Sequence, residues 1–417
     1  MLKFLLPLKV LNLKAFRTFG VALTPARLSP ARLSPAHLTP ARGSLPLPIN
    51  YTVSVTNRCN ARCKTCNIWR LYDDDCDEEQ PALRRSRSEL SRLELSADEF
   101  ARIFESVGKS AYWVTLSGGE PFLRSDLVEI YDALARHCSP NIVNIPTNAT
   151  APRLVERRVR ELLEVKNKTK KGKSDLILNL SLDGVGSLHD EIRGVAGNFE
   201  KFVATYERLT ALKQDFENPR LRVGVHTVVS NFNLDRLEEI YEFVQGLNPK
   251  PDSHIFEVAE ERVELGTVGS GVTPDYRSFA AAFAPLRERI KRDYLKDPEA
   301  DFLARVTQAF RLEYYRLLEK VLTERRQPIP CYAGFASCQI SAYGDVWACC
   351  VRAEPLGNLR AGTADYDFAW VWRSRKADEI RASVRRGECC CPLANAAYTS
   401  MLCDFSALRR VLDRVVR

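Results

Sequence analysis

Cys59, Cys63 and Cys66, in the run CNARCKTC, place three thiols within eight residues. Their C-x3-C-x2-C spacing is neither the two-plus-two pattern of a structural zinc site nor the four-cysteine run of a bacterial ferredoxin. A cubane held by three thiolates leaves one iron open, and an open, Lewis-acidic iron binds a substrate or cofactor where a fully ligated cluster only passes electrons. A second group is Gly118-Gly119-Glu120-Pro121. The glycines let backbone approach a ligand closely and Glu120 offers a carboxylate to an ammonium group, although such a tetrapeptide alone is also a tight turn. The third is the stretch from Cys331 to Cys403, which holds eight of the thirteen cysteines. Cysteines clustered in two zones argue for metal ligation in a reducing, cytoplasmic setting rather than for a disulfide framework. Cys389, Cys390 and Cys391 are consecutive, so on extended chain their side chains alternate in direction and cannot all reach one group. Zinc and iron–sulfur both suit four cysteines from two hairpin-like segments, and the sequence leaves that choice open. Cys138 and Cys338 read as buried or spare thiols.

The elements that must position these groups follow from periodicity. Strand-like runs at Tyr51 to Val55, Tyr112 to Leu116, Ile142 to Pro146, Leu176 to Ser181, Leu221 to Val229 and Ile255 to Val258 alternate with helical stretches. Those helices are Ala97 to Val107, Asp126 to His137, Arg153 to Val165, Phe199 to Leu212 and Leu234 to Leu247, the first opened by a Ser96–Glu99 capping box. Six βα units in sequence predict an α/β fold with a parallel sheet, here an open six-unit barrel. In such a barrel the loops after the strands carry the site, and both the three cysteines and the double glycine follow strands. Pro274 to Arg325 reads as helical connectors, and composition shifts again at Pro328 to Cys331.

The net charge of +8 is nearly all in residues 1 to 45, which hold seven basic residues and no acid. The remainder is close to neutral, so a nucleic-acid partner loses its electrostatic support. Residues 1 to 20 mix Leu and Phe with Lys in a pattern that could lay an amphipathic helix on a membrane or partner, or could be an idle extension. Four five-residue units from Thr24 to Gly43 repeat a proline and read as a disordered, polyproline-like linker. Asp73 to Glu79 is a solvated acidic run, within which Cys76 is not expected to be a ligand. No run of about eighteen apolar residues suggests a transmembrane helix.

The cysteine triplet with the GGEP turn after the next strand resembles the radical S-adenosylmethionine (SAM) superfamily, over roughly residues 50 to 260. That resemblance implies a partial (β/α)6 barrel and a 4Fe-4S cluster on Cys59, Cys63 and Cys66 whose open iron is chelated by SAM. Reductive cleavage of SAM then yields a 5′-deoxyadenosyl radical that abstracts hydrogen from substrate. Gly118, Gly119 and Glu120 would bind the cofactor. Ser181 and Arg193, in a run with Leu182, Asp183, Gly184, His189, Asp190 and Gly194, would help hold its ribose and carboxylate, and Asn148 stands where the family has an asparagine before glycine. His189 and Asp190 would either brace that loop or touch the cofactor. Two departures are Ala149 for that glycine and Thr65 for an aromatic residue before the third cysteine. Cys331, twelve residues, Gly344, four residues and Cys349 are similar to the opening of a SPASM or twitch domain, with Gly344-Asp345-Val346 as a hairpin turn. The full closing pattern is lacking, which implies one auxiliary 4Fe-4S cluster on Cys331, Cys349, Cys391 and Cys403, with Cys389 and Cys350 as substitutes.

The resulting division is a tail to residue 49, a barrel over 50–260, a helical connector over 261–327 and a cysteine-rich SPASM/twitch-like domain over 328–410. Expected partners are a peptide, protein or small-molecule substrate and an electron donor such as flavodoxin or ferredoxin, with no nucleic acid and membrane contact only through residues 1–20. A non-catalytic electron-transfer protein is the alternative of a different class, and it has no use for Gly118, Gly119, Glu120, Ser181 and Arg193.

Overall fold

Alternating apolar and polar residues in six consecutive strands decide which face meets helices and which encloses a lumen. The computed structural model describes residues 2–19, 45–72, 92–168, 174–216, 220–295 and 302–416. The proline repeats, the acidic run and Cys76 lie outside the described residues. In chain order the elements are α1 (Leu2–Phe19), β1 (Asn50–Thr56), α2 (Ala97–Val107), β2 (Trp113–Gly118), α3 (Leu127–His137), β3 (Ile142–Thr147), α4 (Pro152–Lys168), β4 (Asp175–Ser181), α5 (Ser187–Arg193) and α6 (Asn198–Leu212). They continue with β5 (Leu221–Val229), α7 (Leu237–Gln245), β6 (Ser253–Val258), α8 (Tyr276–Ile290), α9 (Phe302–Glu324), β7 (Ser337–Ile340), β8 (Asp345–Trp347) and β9 (Pro355–Asn358). Four helices close the chain: α10 (Phe368–Trp372), α11 (Arg375–Arg386), α12 (Ala394–Cys403) and α13 (Phe405–Val416).

The strands form one open sheet in the order β6-β5-β4-β3-β2-β1-β7-β8-β9, with β1 to β6 parallel. It is the α/β partial barrel expected, unclosed between β6 and the far edge. Val114, Leu116, Val143, Ile145, Leu178, Leu180, Val223 and Val225 pack into the core under the helices. The opposite face is polar. Asn179 donates to Asn144 at 2.8 Å, Asn144 lies 3.5 Å from Thr115, and His226 meets Glu257 at 3.3 Å. Helix α2 begins at the capping box formed by Ser96 and Glu99 and buries Phe100, Ile103, Phe104 and Val107, the one-stripe pattern of a helix on a sheet.

Two features differ from the sequence reading. The cysteine-rich module is not appended through a linker alone, because β7 pairs in parallel with β1, Asn50 opposite Ser337 through Val53 opposite Ile340. The N-terminal helix, read as a contact for a membrane or partner or as an idle extension, is packed on the body. Leu13 of α1 is buried with Leu45, Ile49, Tyr332, Phe335 and Val384, and Arg17 donates to the Cys331 carbonyl at 2.9 Å. The apolar stripe that suggested a membrane is thereby used internally, and no helix among the described residues is long and apolar enough to cross one.

The last helix is held by charge as well as packing. Glu313 of α9 is fully buried and ion-paired to Arg316, Arg410 and Arg414 at 2.6, 2.7 and 2.7 Å. The arginines are about one-third exposed, so Glu313→Ala is expected to cost about 2 kcal/mol locally rather than the full penalty of a buried broken pair. Faster amide exchange over residues 405–416, with β1 to β4 still protected, is the expected signature; unchanged exchange there would show that α13 needs no such anchor.

Candidate cofactor sites

The loop that carries the three cysteines is fixed at both ends. Where β1 stops, buried Glu94 accepts from Thr56 Oγ1 at 2.8 Å, from the Asn57 amide at 2.7 Å and from Tyr72 at 2.8 Å. Farther along, the Arg62 and Lys64 amides donate to the carbonyls of Arg193 and Ile192 at 3.0 and 2.8 Å, stitching the loop to the end of α5. The GGEP turn lies against the same loop, with Gly119 N donating to Thr56 O and Glu120 N to Arg58 O, both at 2.8 Å. Glycine is required there. A Cβ on Gly118, whose φ is +119°, would lie 1.9 Å from Thr56 O, and one on Gly119 would lie 2.2 Å from Arg58 O.

Cys63 is buried and Cys59 and Cys66 are half-buried, each within electrostatic reach of the others. Burial pushes the Cys59 and Cys66 thiols up to about 12, and it pushes Cys63 up as well, against the opposing pull of Arg193. Asn148 Nδ2 approaches Cys59 Sγ at 3.8 Å and Arg193 Nη1 approaches Cys63 Sγ at 3.7 Å. Arg193 is in turn ion-paired to fully buried Asp183 at 2.9 Å. Against burial, which disfavours its charge, Asp183 and the Cys63 thiol hold Arg193 protonated.

Glu120 is buried and accepts three hydrogen bonds, from the Asn148 amide at 2.7 Å, Thr147 Oγ1 at 3.0 Å and the Phe122 amide at 3.2 Å. Burial outweighs them and raises its pKa to about 7. Ala149 takes φ +58°, the left-handed conformation that a glycine there would adopt without strain. Ser181 ends β4 opposite His226. His189 and Asp190 are occupied as braces. The Asp183 amide donates to His189 Nδ1 at 3.1 Å, and Asp190 accepts from Gly197 and Phe199 amides at 2.6 and 2.8 Å.

The second set forms between the β7–β8 hairpin and the chain before α12. Cys331, Cys349 and Cys391 share one apolar cluster with Ala333, Leu393 and Ala396, and Cys389 lies within electrostatic reach of Cys331 and Cys349. Cys331 and Cys391 line one shared pocket with Tyr314, Gln327 and Leu393. Gln327 Nε2 donates to the Cys391 carbonyl at 2.9 Å. Cys390 is exposed, as the alternation of an extended run requires. Cys350 is buried in the same apolar cluster and also lies within electrostatic reach of Arg262, Glu264 and Glu260. Cys403, at the end of α12, is buried with Leu13, Tyr332 and Phe335 in a cluster against which Cys331 also packs, with Lys14 and Arg17 as neighbouring charges.

Both sets suit a polynuclear group. Buried thiols with raised pKa need strong positive charge to ionise, which iron supplies. Sequence reasoning missed Glu94, whose role arises from a contact 38 residues away along the chain. It quoted Asp183 without assigning it a role.

Residues 53–244 match the family model described as the radical SAM superfamily, and residues 331–392 match SPASM, an iron–sulfur cluster-binding domain. Among curated proteins, the chain is 26% identical over 339 residues to the AdoMet-dependent heme synthase of Oleidesulfovibrio alaskensis, covering 76% of this chain and 73% of that protein. It is 26% identical over 201 residues to the pre-heme d1 synthase of Dinoroseobacter shibae, covering 48% of this chain and 41% of that one. To the antilisterial bacteriocin subtilosin biosynthesis protein AlbA of Bacillus subtilis it is 24% identical over 317 residues, covering 75% of this chain and 58% of that protein.

Proposed function

Because the chain belongs to the radical SAM superfamily and carries a SPASM domain, we propose that it cleaves SAM reductively at Cys59, Cys63 and Cys66 and abstracts hydrogen from a peptide or protein substrate. The observation that carries the SAM-cleaving part is the joint placement of the three thiols, the Gly118–Gly119 cradle, Glu120 and Arg193 around one loop. When bound, the cluster and SAM supply one-electron cleavage of a carbon–sulfur bond and hence a hydrogen-abstracting radical. The chain's residues do the holding. Glu120 is assigned to the ammonium of SAM, Ser181 and Arg193 to its ribose and carboxylate, and Asn148 to orienting the loop at Cys59. Cys331, Cys349, Cys389 and Cys391 are assigned to the auxiliary cluster, with Cys389 preferred to Cys403.

An open lumen beside an auxiliary domain supports the peptide reading, as does AlbA, whose name places it in the biosynthesis of a bacteriocin. Similarity to a heme synthase over three-quarters of the chain favours a second reading, a small-molecule substrate. Flavodoxin or ferredoxin is the proposed reductant. The test is 5′-deoxyadenosine formation by anaerobically reconstituted, dithionite-reduced protein beside the triple alanine variant of Cys59, Cys63 and Cys66. Product from wild type alone supports the reading; none from iron-loaded wild type with candidate peptides and small molecules supplied rejects it.

Glu120 gives a pH dependence whose sign is fixed. Its carboxyl, raised to about 7, is largely protonated below neutrality in the SAM-free chain, whereas an ammonium partner needs the carboxylate. Binding below that value therefore releases a proton, and SAM affinity is expected to fall by up to about tenfold per pH unit as pH drops through 7. Glu120→Gln should weaken binding roughly tenfold and flatten the profile. A profile unchanged by that substitution would remove Glu120 from the role.

A further inference from the structure

Around the ends of β5 and β6 four elements come together. His226 of β5 and Glu257 of β6 pair at 3.3 Å, and just past β6 Glu260 pairs with Arg262 at 2.6 Å. From α9 comes Arg311, only 6% exposed, and from α12 comes Tyr398, its ring 5.3 Å from that of Tyr314. Arg311 lies within electrostatic reach of both Glu257 and Tyr398.

The ion pairs are local: His226 pairs with Glu257 and Arg262 with Glu260, with Glu264 also facing Arg262. Arg311 has no ion-pair partner among the described residues; its Nη1 is buried without a hydrogen-bond partner, and so is the Tyr398 hydroxyl. A buried guanidinium left unpaired is costly, and a fold that keeps one beside an equally unpaired hydroxyl keeps two donors for an acceptor from outside the chain. One guanidinium and one phenol match a single negative charge. A phosphate dianion would be repelled by Glu257 and left short of cations, whereas a carboxylate takes two parallel donors.

We infer that Arg311 and Tyr398 form a carboxylate-binding site in the barrel lumen, and that the substrate carries a carboxylate. Naming the occupant as substrate rests on the function proposed above; the binding site itself does not. The carboxylate belongs either to a peptide or to a small molecule, and the probes separate the two.

The experiment is isothermal titration of the full chain, reconstituted but not reduced, with glutarate, with N-acetyl-trialanine and with N-acetyl-trialanine amide, each also run on Arg311→Met and Tyr398→Phe. At least one carboxylate is expected to bind and the amide not. Arg311→Met should weaken binding at least tenfold and Tyr398→Phe severalfold. Glutarate alone would mark a small-molecule site and N-acetyl-trialanine alone a peptide terminus; both outcomes support the site. Thermal unfolding supplies a readout that a structural role would reverse. Removing an unpaired buried cation should leave the melting temperature of Arg311→Met level or higher, whereas an arginine bracing Glu257 would lower it. No binding by either carboxylate, equal binding of the amide, binding that survives Arg311→Met, or a clearly lowered melting temperature overturns the inference. Because SAM cleavage is not measured, failure here is distinct from failure of the proposed reaction.

Discussion

Gly119→Ala is expected to leave the chain folded but to strip the first cysteine site of its iron and take the proposed 5′-deoxyadenosine formation to background. The added methyl would stand 2.2 Å from Arg58 O, 2.6 Å from Arg58 C and 2.8 Å from Asn57 O, all backbone atoms that no rotamer change can move. Either β2 or the segment entering Cys59 must yield, and the loop is the weaker because its hydrogen bonds to the turn are those the collision breaks. Auxiliary iron, held by a separate part of the chain, should persist, so total iron falls by about half. Gly362→Ala is the control, since a Cβ there meets nothing within 4 Å. Full iron in Gly119→Ala, or equal losses in both variants, would show that the close approach does not position the cysteines.

The second large effect concerns Arg193. Arg193→Met removes the cation beside Cys63 and leaves Asp183, fully buried, as an uncompensated carboxylate, a change expected to cost about 3–5 kcal/mol. Asp183→Asn on that background should recover most of the loss, because a neutral amide can accept from the Val228 amide as Asp183 does. SAM cleavage should not return with it. If the double variant is both stable and active, Arg193 is only a counter-charge for Asp183; if stability alone is rescued, the guanidinium acts at the cofactor site, where the loss of an outer partner typically costs 10–100-fold.

What could be read in advance tracks how locally each feature is encoded. Six alternating strand runs and the Ser96–Glu99 cap are written in consecutive residues, and the strands and α2 fall where periodicity put them. The three-cysteine loop was legible for the same reason. Parity in the Cys389–Cys391 run excluded a common ligand role for all three, but where Cys403 sits depends on the path of α12, which buries it beside Leu13 in a cluster that Cys331 also touches. The amphipathic stripe of α1 was visible, but a stripe does not name what covers it. Glu94, Arg311 and Tyr398 had no local signal, since each matters through residues far away in sequence.

One ladder of backbone hydrogen bonds, β1 against β7, ties the two cysteine sets to a shared plank. Strand β1 ends in the first set's loop, while β7 lies between Cys331 and Cys349 of the second. The separation between the two sets is therefore a constant of the sheet, with no joint along which it can breathe. The cysteine-rich part is for the same reason not a detachable cassette. Cut it away and β1, a buried inner strand, becomes a raw edge with unspent donors and acceptors, an invitation to pair with another chain.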